Sequence, residues 1–270
     1  MSLEQDQPQN TRLIRQAFDR GINFFDTADL YDKGANEIAV GKAIRDFRKE
    51  VILATKVGNQ WKPDGSGWVW NPNKAYILNA VNESLRRLQT DYIDLYQLHG
   101  GTMEDPIDET IEAFEELKAA GKIREYGISS IRPKVIREYV QRSNIVSVMM
   151  QYSLLDRRPE EASLDLLADN NISVLTRGTL AKGILINKPA RDYLTYTQAE
   201  IEKLQTALAA KGDALSAALT YVQQHPAVGS MVIGLRTEQQ LADVCTAYQQ
   251  KISKERLGEL NALLKTQRYG

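Results

Sequence analysis

Four residues whose side chains can exchange protons stand close to the ends of apolar, strand-like runs of the sequence. Asp26, Lys56 and His99 each close such a run, and Tyr31 follows Asp26 by five residues. In an α/β barrel, the C-terminal ends of successive parallel strands surround one mouth, where the active sites of that fold lie. The sequence therefore predicts that Asp26, Tyr31, Lys56 and His99 meet at one site.

A cluster of these residue types is an acid–base device. A free tyrosine ionises near pH ~10 and donates its proton poorly at neutral pH. A nearby ammonium stabilises the phenolate that remains after the proton leaves. A carboxylate keeps the lysine charged and oriented, and a histidine beside the tyrosine can bind a carbonyl oxygen or relay a proton. Such a site protonates an oxygen atom while another group attacks the carbon.

Each of the four residues also has an ordinary structural interpretation. Asp26 could cap the following turn, Tyr31 could pack in the core, and His99 could be a polar strand end. Lys56 is harder to explain in this way, because lysine is rarely buried without a partner. The prediction of a site rests on the four residues standing together at successive strand ends.

The composition is that of an ordinary soluble globular protein, with 270 residues, 43% of them hydrophobic, and a formal net charge of −1. A charge this close to zero gives no support for a nucleic-acid partner. The single cysteine, Cys245, excludes an intramolecular disulfide and fits a reducing compartment. No apolar run approaches the roughly 20 residues that span a bilayer, and the polar first ten residues do not form a signal peptide. A cytoplasmic location without membrane contact is expected, and no Cys/His cluster indicates a metal site.

Strand-like and helix-like segments alternate along the chain, which predicts a parallel sheet covered by helices. No linker-like composition interrupts this pattern, so residues 1–270 are predicted to form a single domain. Seven strands are recognised, whereas a closed barrel needs eight. The predicted strands are 22–28, 51–57, 92–98, 123–129, 145–152, 172–177 and 230–234. The predicted helices are 3–20, 37–47, 73–89, 107–120, 133–142, 160–170, 197–210, 213–224, 238–249 and a terminal one from 254.

Residues 58–72 contain all three tryptophans of the protein, and their glycines and prolines predict a long loop. The indole rings could cover an edge of the core, or they could form an aromatic wall over a binding mouth. The second interpretation is favoured, because the loop follows the strand that ends in Lys56.

Three segments, GINFFDTADLYDKGANEIAVGKAI, VILATKVG and SLRRLQTDYIDLYQLHG, resemble the aldo-keto reductases, in particular bacterial members related to potassium-channel β subunits. The resemblance continues through EAFEELKAAGKIREYGISS, MMQYSLLDRR and HPAVGSMVIGLRTEQQLADV and covers nearly the whole chain. It implies a (β/α)8 TIM-type barrel and the reduction of aldehydes or ketones with NADPH. It also implies that Tyr31 is the general acid, that Lys56 and Asp26 tune it, and that His99 orients the substrate carbonyl.

The resemblance also implies a set of cofactor-binding residues. Ser129 and Gln151 match residues that hold the nicotinamide carboxamide, and Gly234, Arg236 and Gln240 match the stretch that binds the adenosine phosphate end. Arg236 suits a 2′-phosphate, which favours NADPH over NADH. Further expected cofactor contacts are Arg177, Gly178, Leu180, Lys182 and Gly183.

The sequence departs from the family pattern in four places. Met1–Leu3 match the end of the first barrel strand, so that strand is expected to be absent and the barrel to be left with unpaired edges. Arg177 stands where many members stack an aromatic ring on the nicotinamide, although a guanidinium can also stack on a planar ring. Val244 replaces an asparagine of the adenine pocket. The segment 184–197 is shorter than the usual loop that covers the cofactor.

Three other functions remain open at this stage. The chain could be a regulatory subunit that binds cofactor with little turnover, a lyase that forms a Schiff base on Lys56, or an inactive truncated barrel. The expected partner of the reductase is a small-molecule carbonyl substrate. The sequence does not specify the physiological substrate or the oligomeric state.

Overall fold

The computed structural model describes residues 8–269, and strands alternate with helices along this part of the chain, as predicted. The strands are β1 Phe24–Asp26, β2 Ile52–Val57, β3 Asn59–Trp61, β4 Trp68–Trp70, β5 Ile93–Leu98, β6 Ile123–Ser129, β7 Ser147–Gln151, β8 Ser173–Arg177 and β9 Val228–Val232. The α-helices are α1 Pro8–Asp19, α2 Ala35–Ile44, α3 Lys74–Leu88, α4 Ile107–Ala119, α5 Pro133–Arg142, α6 Ser163–Asp169, α7 Gln198–Ala209, α8 Ala214–Gln223, α9 Glu238–Gln249 and α10 Lys254–Asn261.

The described chain folds as two compact units. The first contains the described residues up to Val148 and the segment Gly234–Leu241, and the second contains Met149–Ile233 and the residues from Ala242 onward. The single domain over residues 1–270 stays a prediction.

Parallel strands organise the first unit. Strands β1, β2, β5 and β6 pair side by side in that order, and Ala54 at the middle of β2 pairs with Asp26 of β1 on one side and Leu95 of β5 on the other. Parallel strands bring their C-terminal ends to one edge of the sheet, where sites of α/β folds are built. Asp26, Lys56 and Ser129 therefore lie near the same edge, and His99 directly follows β5.

Parallel pairing also organises the second unit. Strand β8 pairs with β9, with an irregularity between Val174 and Leu175. Beyond the end of β7, the amide of Tyr152 donates to the carbonyl oxygen of Arg177 over 3.3 Å. Gln151 and Arg177 thus end neighbouring segments within this unit.

The ends of several helices follow the signals read from the sequence. Gly21 follows α1 with φ +87°, and Gly121 follows α4 with φ +72°. Glycine is favoured there because side chains strain the left-handed backbone. Pro133 occupies the first turn of α5, where its missing amide proton is no loss.

The prediction of a long loop over residues 58–72 is wrong. Strands β3 and β4 form an antiparallel hairpin in which Asn59 pairs with Trp70 and Trp61 pairs with Trp68. The turn between them holds Pro63, Gly65 and Gly67, three of the residues that suggested a loop. Each arm of the hairpin has only three residues. The strand preference of the paired tryptophans was therefore too short a pattern to outweigh the glycines and prolines that indicate a loop.

Several predicted strand boundaries are also wrong: β1 covers Phe24–Asp26 instead of 22–28, β7 covers Ser147–Gln151 instead of 145–152, and β9 covers Val228–Val232 instead of 230–234. The last strand ends at Val232 instead of Gly234, because its partner β8 ends at Arg177, which pairs with Val232. Strand β1 begins at Phe24 instead of Ile22, since the amide of Ile22 still bonds to Ala17 at the end of α1. The expected absence of a first strand before Leu3 concerns residues outside the described part of the chain.

Candidate active site

Tyr31 begins a short 3-10 turn that connects the end of β1 to α2. Its amide donates to the carbonyl oxygen of Ala28 over 3.1 Å, and its ring is half-buried. The three residues that follow, Asp32, Lys33 and Gly34, have φ values of +49°, +54° and +87°. Two consecutive non-glycine residues in the left-handed region store backbone strain, which persists only where the surroundings impose it.

A buried ion pair joins Lys56 of β2 to Asp26 of β1. The Lys56 side chain is 1% exposed and the Asp26 side chain 7%. The Lys56 Nζ lies 2.6 Å from both carboxylate oxygens of Asp26 and 2.7 Å from the carbonyl oxygen of Thr27. These contacts engage all three ammonium protons. Lys56 is thereby held as a fixed positive charge.

Tyr31 lies between this ion pair and His99. The Lys56 Nζ is 5.3 Å from the centroid of the Tyr31 ring. The His99 ring meets the Tyr31 ring edge to face, with centroids 5.8 Å apart and planes at 82°. The amide of His99 donates to the carbonyl oxygen of Val57 over 2.7 Å, which ties the end of β5 to β2. The four predicted residues therefore lie together within the first unit, where a phenol, a cation and an imidazole can act on one oxygen atom.

The tryptophan hairpin packs against the backbone beside the same side chains. The Trp70 ring lies over Gly58 and Gly100, where an added Cβ would approach the ring to 2.6 and 3.2 Å. Its indole N–H donates to Asp105 over 2.9 Å. Lys33 of the Tyr31 turn places its Nζ 5.2 Å from the centroid of the Trp61 ring. These contacts place the hairpin beside Gly58 and Gly100, which follow the strand ends that carry Lys56 and His99. The aromatic wall over a binding mouth stays a prediction.

Sequence reasoning missed a buried acidic residue between Asp26 and Tyr31. Asp29 is 8% exposed. Burial and the nearby Glu37 carboxylate raise the pKa of Asp29 from 3.8 to about 7, although the positive charges of Arg87 and Lys56 oppose the shift. Tyr76 is hydrogen-bonded to Asp29, and the buried Tyr96 also interacts with it electrostatically. Nothing in the local sequence pattern distinguishes Asp29 from a polar turn residue.

Asp29 should make the protein less stable as pH rises. Its pKa is higher in the folded chain than the 3.8 of the unfolded chain, so only the folded state keeps the proton between these values. The free energy of unfolding then falls from about pH 4 to about pH 7. Relative to the native chain, Asp29→Asn should gain about 2 to 3 kcal/mol between pH 5 and pH 7, at about 1.4 kcal/mol per pH unit.

Urea unfolding at several pH values measures this gain. The exposed Asp91 offers a matched control, because Asp91→Asn makes the same chemical change in contact with water. Parallel pH dependences for Asp29→Asn and the native chain would show that Asp29 ionises normally.

The cofactor residues expected in the first unit lie at a strand end and after β9. Ser129 ends β6 and is 8% exposed. Gly234, Arg236 and Gln240 are exposed. The side-chain oxygen of Gln240 accepts a hydrogen bond of 2.8 Å from the amide of Arg236, so Gln240 shapes the loop that carries Arg236.

The remaining expected cofactor residues lie in the second unit. Gln151 ends β7, and its side-chain oxygen accepts a bond of 3.4 Å from Arg158, which is itself paired with the buried Asp156. Arg177 ends β8 and is half-buried. The rest are Gly178, Leu180, Lys182 and Gly183. They follow in a turn whose backbone is left-handed at Gly178, Lys182 and Gly183.

Among the described residues, no helix is long and apolar enough to cross a membrane. The same part of the chain contains no group of three or more His, Cys, Asp and Glu side chains arranged to hold a metal ion.

Comparison with known proteins places the chain in a family. Residues 2–265 match the aldo/keto reductase family model. The chain is 49% identical to the uncharacterized oxidoreductase YqkF of Bacillus subtilis, over 100% of this chain and 92% of that protein. The structure is similar to the holo form of aldo-keto reductase AKR11C1 from Bacillus halodurans, with a TM-score of 0.95 and 48% identity over 99% of this chain and 91% of that one. An aldo/keto reductase from Klebsiella pneumoniae in complex with NADP and acetate matches with a TM-score of 0.80 and 27% identity, over 97% and 87% of the two chains.

Strands followed by helices, with an acid–base cluster at the C-terminal strand ends, define an enzyme of the α/β-barrel class. The chain belongs to the aldo/keto reductase family, which is a family of oxidoreductases. The predicted family and the (β/α)8-type fold class are confirmed.

Proposed function

We propose that this protein reduces aldehydes or ketones to alcohols with NADPH and that Tyr31 is the general acid. The observation that carries the proposal is the buried Lys56–Asp26 pair, whose Nζ lies 5.3 Å from the Tyr31 ring centroid. An acid that leaves a phenolate behind needs a fixed positive charge nearby. The pair provides that charge without solvent between its partners.

The four side chains divide the work of proton delivery. Tyr31 transfers its hydroxyl proton to the carbonyl oxygen of the substrate as the carbon is reduced, and the product is the alcohol. Lys56 acts on Tyr31 through its charge, because its three N–H bonds are directed at Asp26 and Thr27. His99, edge to face with Tyr31, binds the carbonyl oxygen beside the Tyr31 hydroxyl.

The expected cofactor residues have the side-chain types that a nicotinamide dinucleotide needs. The Ser129 hydroxyl and the Gln151 side-chain amide suit the carboxamide. The Arg177 guanidinium suits a planar ring, and Arg236 suits the 2′-phosphate. When bound, the reduced nicotinamide supplies the hydride. The relative from Klebsiella pneumoniae that was solved with NADP supports the choice of cofactor.

The geometry of Lys56 argues against a Schiff-base lyase. A nucleophilic amine needs a free lone pair, whereas this nitrogen is 1% exposed and donates three hydrogen bonds. A regulatory subunit that binds cofactor without turnover is distinguished from the reductase by activity alone.

Purified protein mixed with NADPH and 4-nitrobenzaldehyde tests the proposal. We expect oxidation of the cofactor in step with formation of 4-nitrobenzyl alcohol. Cofactor binding without reduction of this or other small carbonyl compounds would favour the regulatory alternative. Substrate trapped on Lys56 by borohydride would favour the lyase. The proposal also includes a cytoplasmic location and a small-molecule substrate.

Arg236 should be the main source of a preference for NADPH. A charged hydrogen bond is worth about 1.5 to 3 kcal/mol, which corresponds to roughly 10- to 150-fold in affinity. Arg236→Ala should therefore weaken NADPH binding by this factor and leave NADH binding nearly unchanged. Fluorescence titration with both cofactors measures the two affinities.

Arg45→Ala, which removes another exposed guanidinium of the first unit, is the matched control. Equal losses for NADPH and NADH in Arg236→Ala would show that Arg236 acts through the structure of its loop.

A further inference from the structure

Glu37, in the first turn of α2, is a fully buried carboxylate with two strong partners. Its side chain is 0% exposed. One oxygen accepts a hydrogen bond of 2.6 Å from the Thr55 hydroxyl, and the other accepts one of 2.6 Å from the Nε of Arg87. The two partners belong to different elements, β2 and α3. Glu37 therefore joins three elements at one point.

Arg87 connects Glu37 to the turn that begins at Tyr31. The backbone of Gly34, the last residue of that turn, packs directly on the Arg87 side chain. A Cβ at Gly34 would lie 2.6 Å from the Arg87 Cδ and 2.8 Å from its Nε. The Nη2 of Arg87 donates to Ser84 over 3.2 Å, which fixes the guanidinium from its other side. The Arg87–Glu37 pair thus fixes the side chain on which the strained turn packs at Gly34.

Thr55 connects the same carboxylate to Lys56. Thr55 directly precedes Lys56 on β2, and successive side chains of a strand point to opposite faces. A second contact to Lys56 involves Asn36, which directly precedes Glu37. The Thr27 hydroxyl donates to the Asn36 side chain over 2.7 Å. Thr27 also accepts the Lys56 ammonium on its carbonyl oxygen. The first turn of α2 therefore binds Thr55 of β2 and Thr27, the residue that directly follows β1.

We propose that Glu37 is a positioning residue for the reaction, which fixes the distance between Tyr31 and Lys56 by binding Arg87 and Thr55 with the two oxygens of one carboxylate. This inference rests on the function proposed above. Glu37 does not touch the reacting atoms and acts through the Tyr31 turn and through β2. A misplacement of about 1 Å in a catalytic site can cost about 10²-fold in rate, so loosening either link should lower turnover.

Two substitutions separate the contact of Glu37 with Arg87 from its contact with Thr55. Glu37→Gln keeps an acceptor for Thr55 but removes the charge that holds Arg87. Thr55→Val removes only the hydroxyl, and Thr55→Ser restores it. Glu83→Gln is the matched control, because Glu83 is an exposed glutamate that pairs with an arginine on α3.

Steady-state reduction of 4-nitrobenzaldehyde is the first measurement. We expect Glu37→Gln and Thr55→Val to lower kcat by about 10- to 100-fold, with the KM for aldehyde and the Kd for NADPH nearly unchanged. Thr55→Ser and Glu83→Gln should keep the native kcat. A purely structural Glu37 would instead lower the melting temperature and leave the kcat of the folded enzyme intact, which would overturn the proposal.

The second measurement does not depend on turnover. In protein labelled with ring-¹³C tyrosine, the signal of Tyr31 is identified by its absence in Tyr31→Phe. Because the His99 ring lies edge to face with Tyr31, that signal is sensitive to their geometry. We expect it to move in Glu37→Gln and Thr55→Val and to stay in Thr55→Ser and Glu83→Gln.

An unmoved Tyr31 signal in folded Glu37→Gln and Thr55→Val would overturn the positioning role. If the native protein reduces no carbonyl compound, the proposed function fails, and the Tyr31 signal still decides whether Glu37 positions the ring. If Glu37→Gln does not fold, the comparison of Thr55→Val with Thr55→Ser decides it.

Discussion

Replacing Tyr31 with phenylalanine should lower carbonyl reduction by about 10² to 10⁴-fold, the usual effect of losing general acid catalysis. Only the hydroxyl is removed, so the ring keeps its contacts with Lys56 and His99. NADPH should bind with nearly native affinity, because none of the proposed cofactor contacts involves the Tyr31 hydroxyl. Steady-state kinetics and a fluorescence titration of the same preparation measure both quantities.

Tyr248→Phe provides the matched control for this substitution. Tyr248 is 47% exposed, and its hydroxyl contacts Gln223 in the second unit. Near-native turnover in Tyr31→Phe would remove Tyr31 from the role of general acid. A loss of NADPH binding as large as the loss of turnover would assign it a binding role instead.

Replacing Lys56 with methionine should both abolish reduction and destabilise the protein by about 3 to 5 kcal/mol. This is the typical cost of removing one partner of a buried ion pair. The Asp26 carboxylate, 7% exposed, would remain without its cation. Methionine has nearly the length of lysine, so the effect would not come from an empty cavity. Urea unfolding gives the change in free energy of unfolding.

The double variant Asp26→Asn/Lys56→Met separates charge from packing. It leaves no buried charge behind, so it should recover more than half of the lost stability while remaining inactive. Lys211→Met, at an exposed position, should leave both stability and activity unchanged. Native stability of Lys56→Met would mean that Asp26 is satisfied without the lysine.

The convergence of Asp26, Lys56 and His99 could be predicted from sequence because each follows an apolar run, and parallel strands bring such ends together. The acid–base chemistry of the cluster is a prediction from the residue types. Tyr31 could be included because only a short segment separates it from Asp26. The structure brings these side chains together, and their roles in the reaction stay a prediction.

The hairpin of β3 and β4 could not be predicted in the same way. Its arms are three residues each, which is too short for a periodic pattern to be distinguished from a loop. It is placed by tertiary contacts, such as the Trp70 ring on Gly58 and Gly100. The shifted end of β9 has a similar origin, because the partner strand decides where pairing stops.

The burial of Glu37 and its pairing with Arg87 could not be predicted from the sequence for a related reason. Glu37 and Arg87 are 50 positions apart, and each looks like an ordinary surface charge of an amphipathic helix. Burial and pairing become apparent only when α2 and α3 pack together. The raised pKa of Asp29 depends on the same packing, because burial and the Glu37 charge cause it.

Isotope transfer tests the central claim, that this protein reduces a carbonyl by hydride transfer from NADPH, most directly. The native protein is incubated with 4-nitrobenzaldehyde and NADPH that carries two deuterium atoms at C4 of the nicotinamide, and the alcohol is analysed by mass spectrometry. We expect the alcohol to contain one deuterium bound to carbon, and its rate of formation to fall by about 10² to 10⁴-fold in Tyr31→Phe. Absence of alcohol, or alcohol without deuterium on carbon, would contradict the proposed reaction.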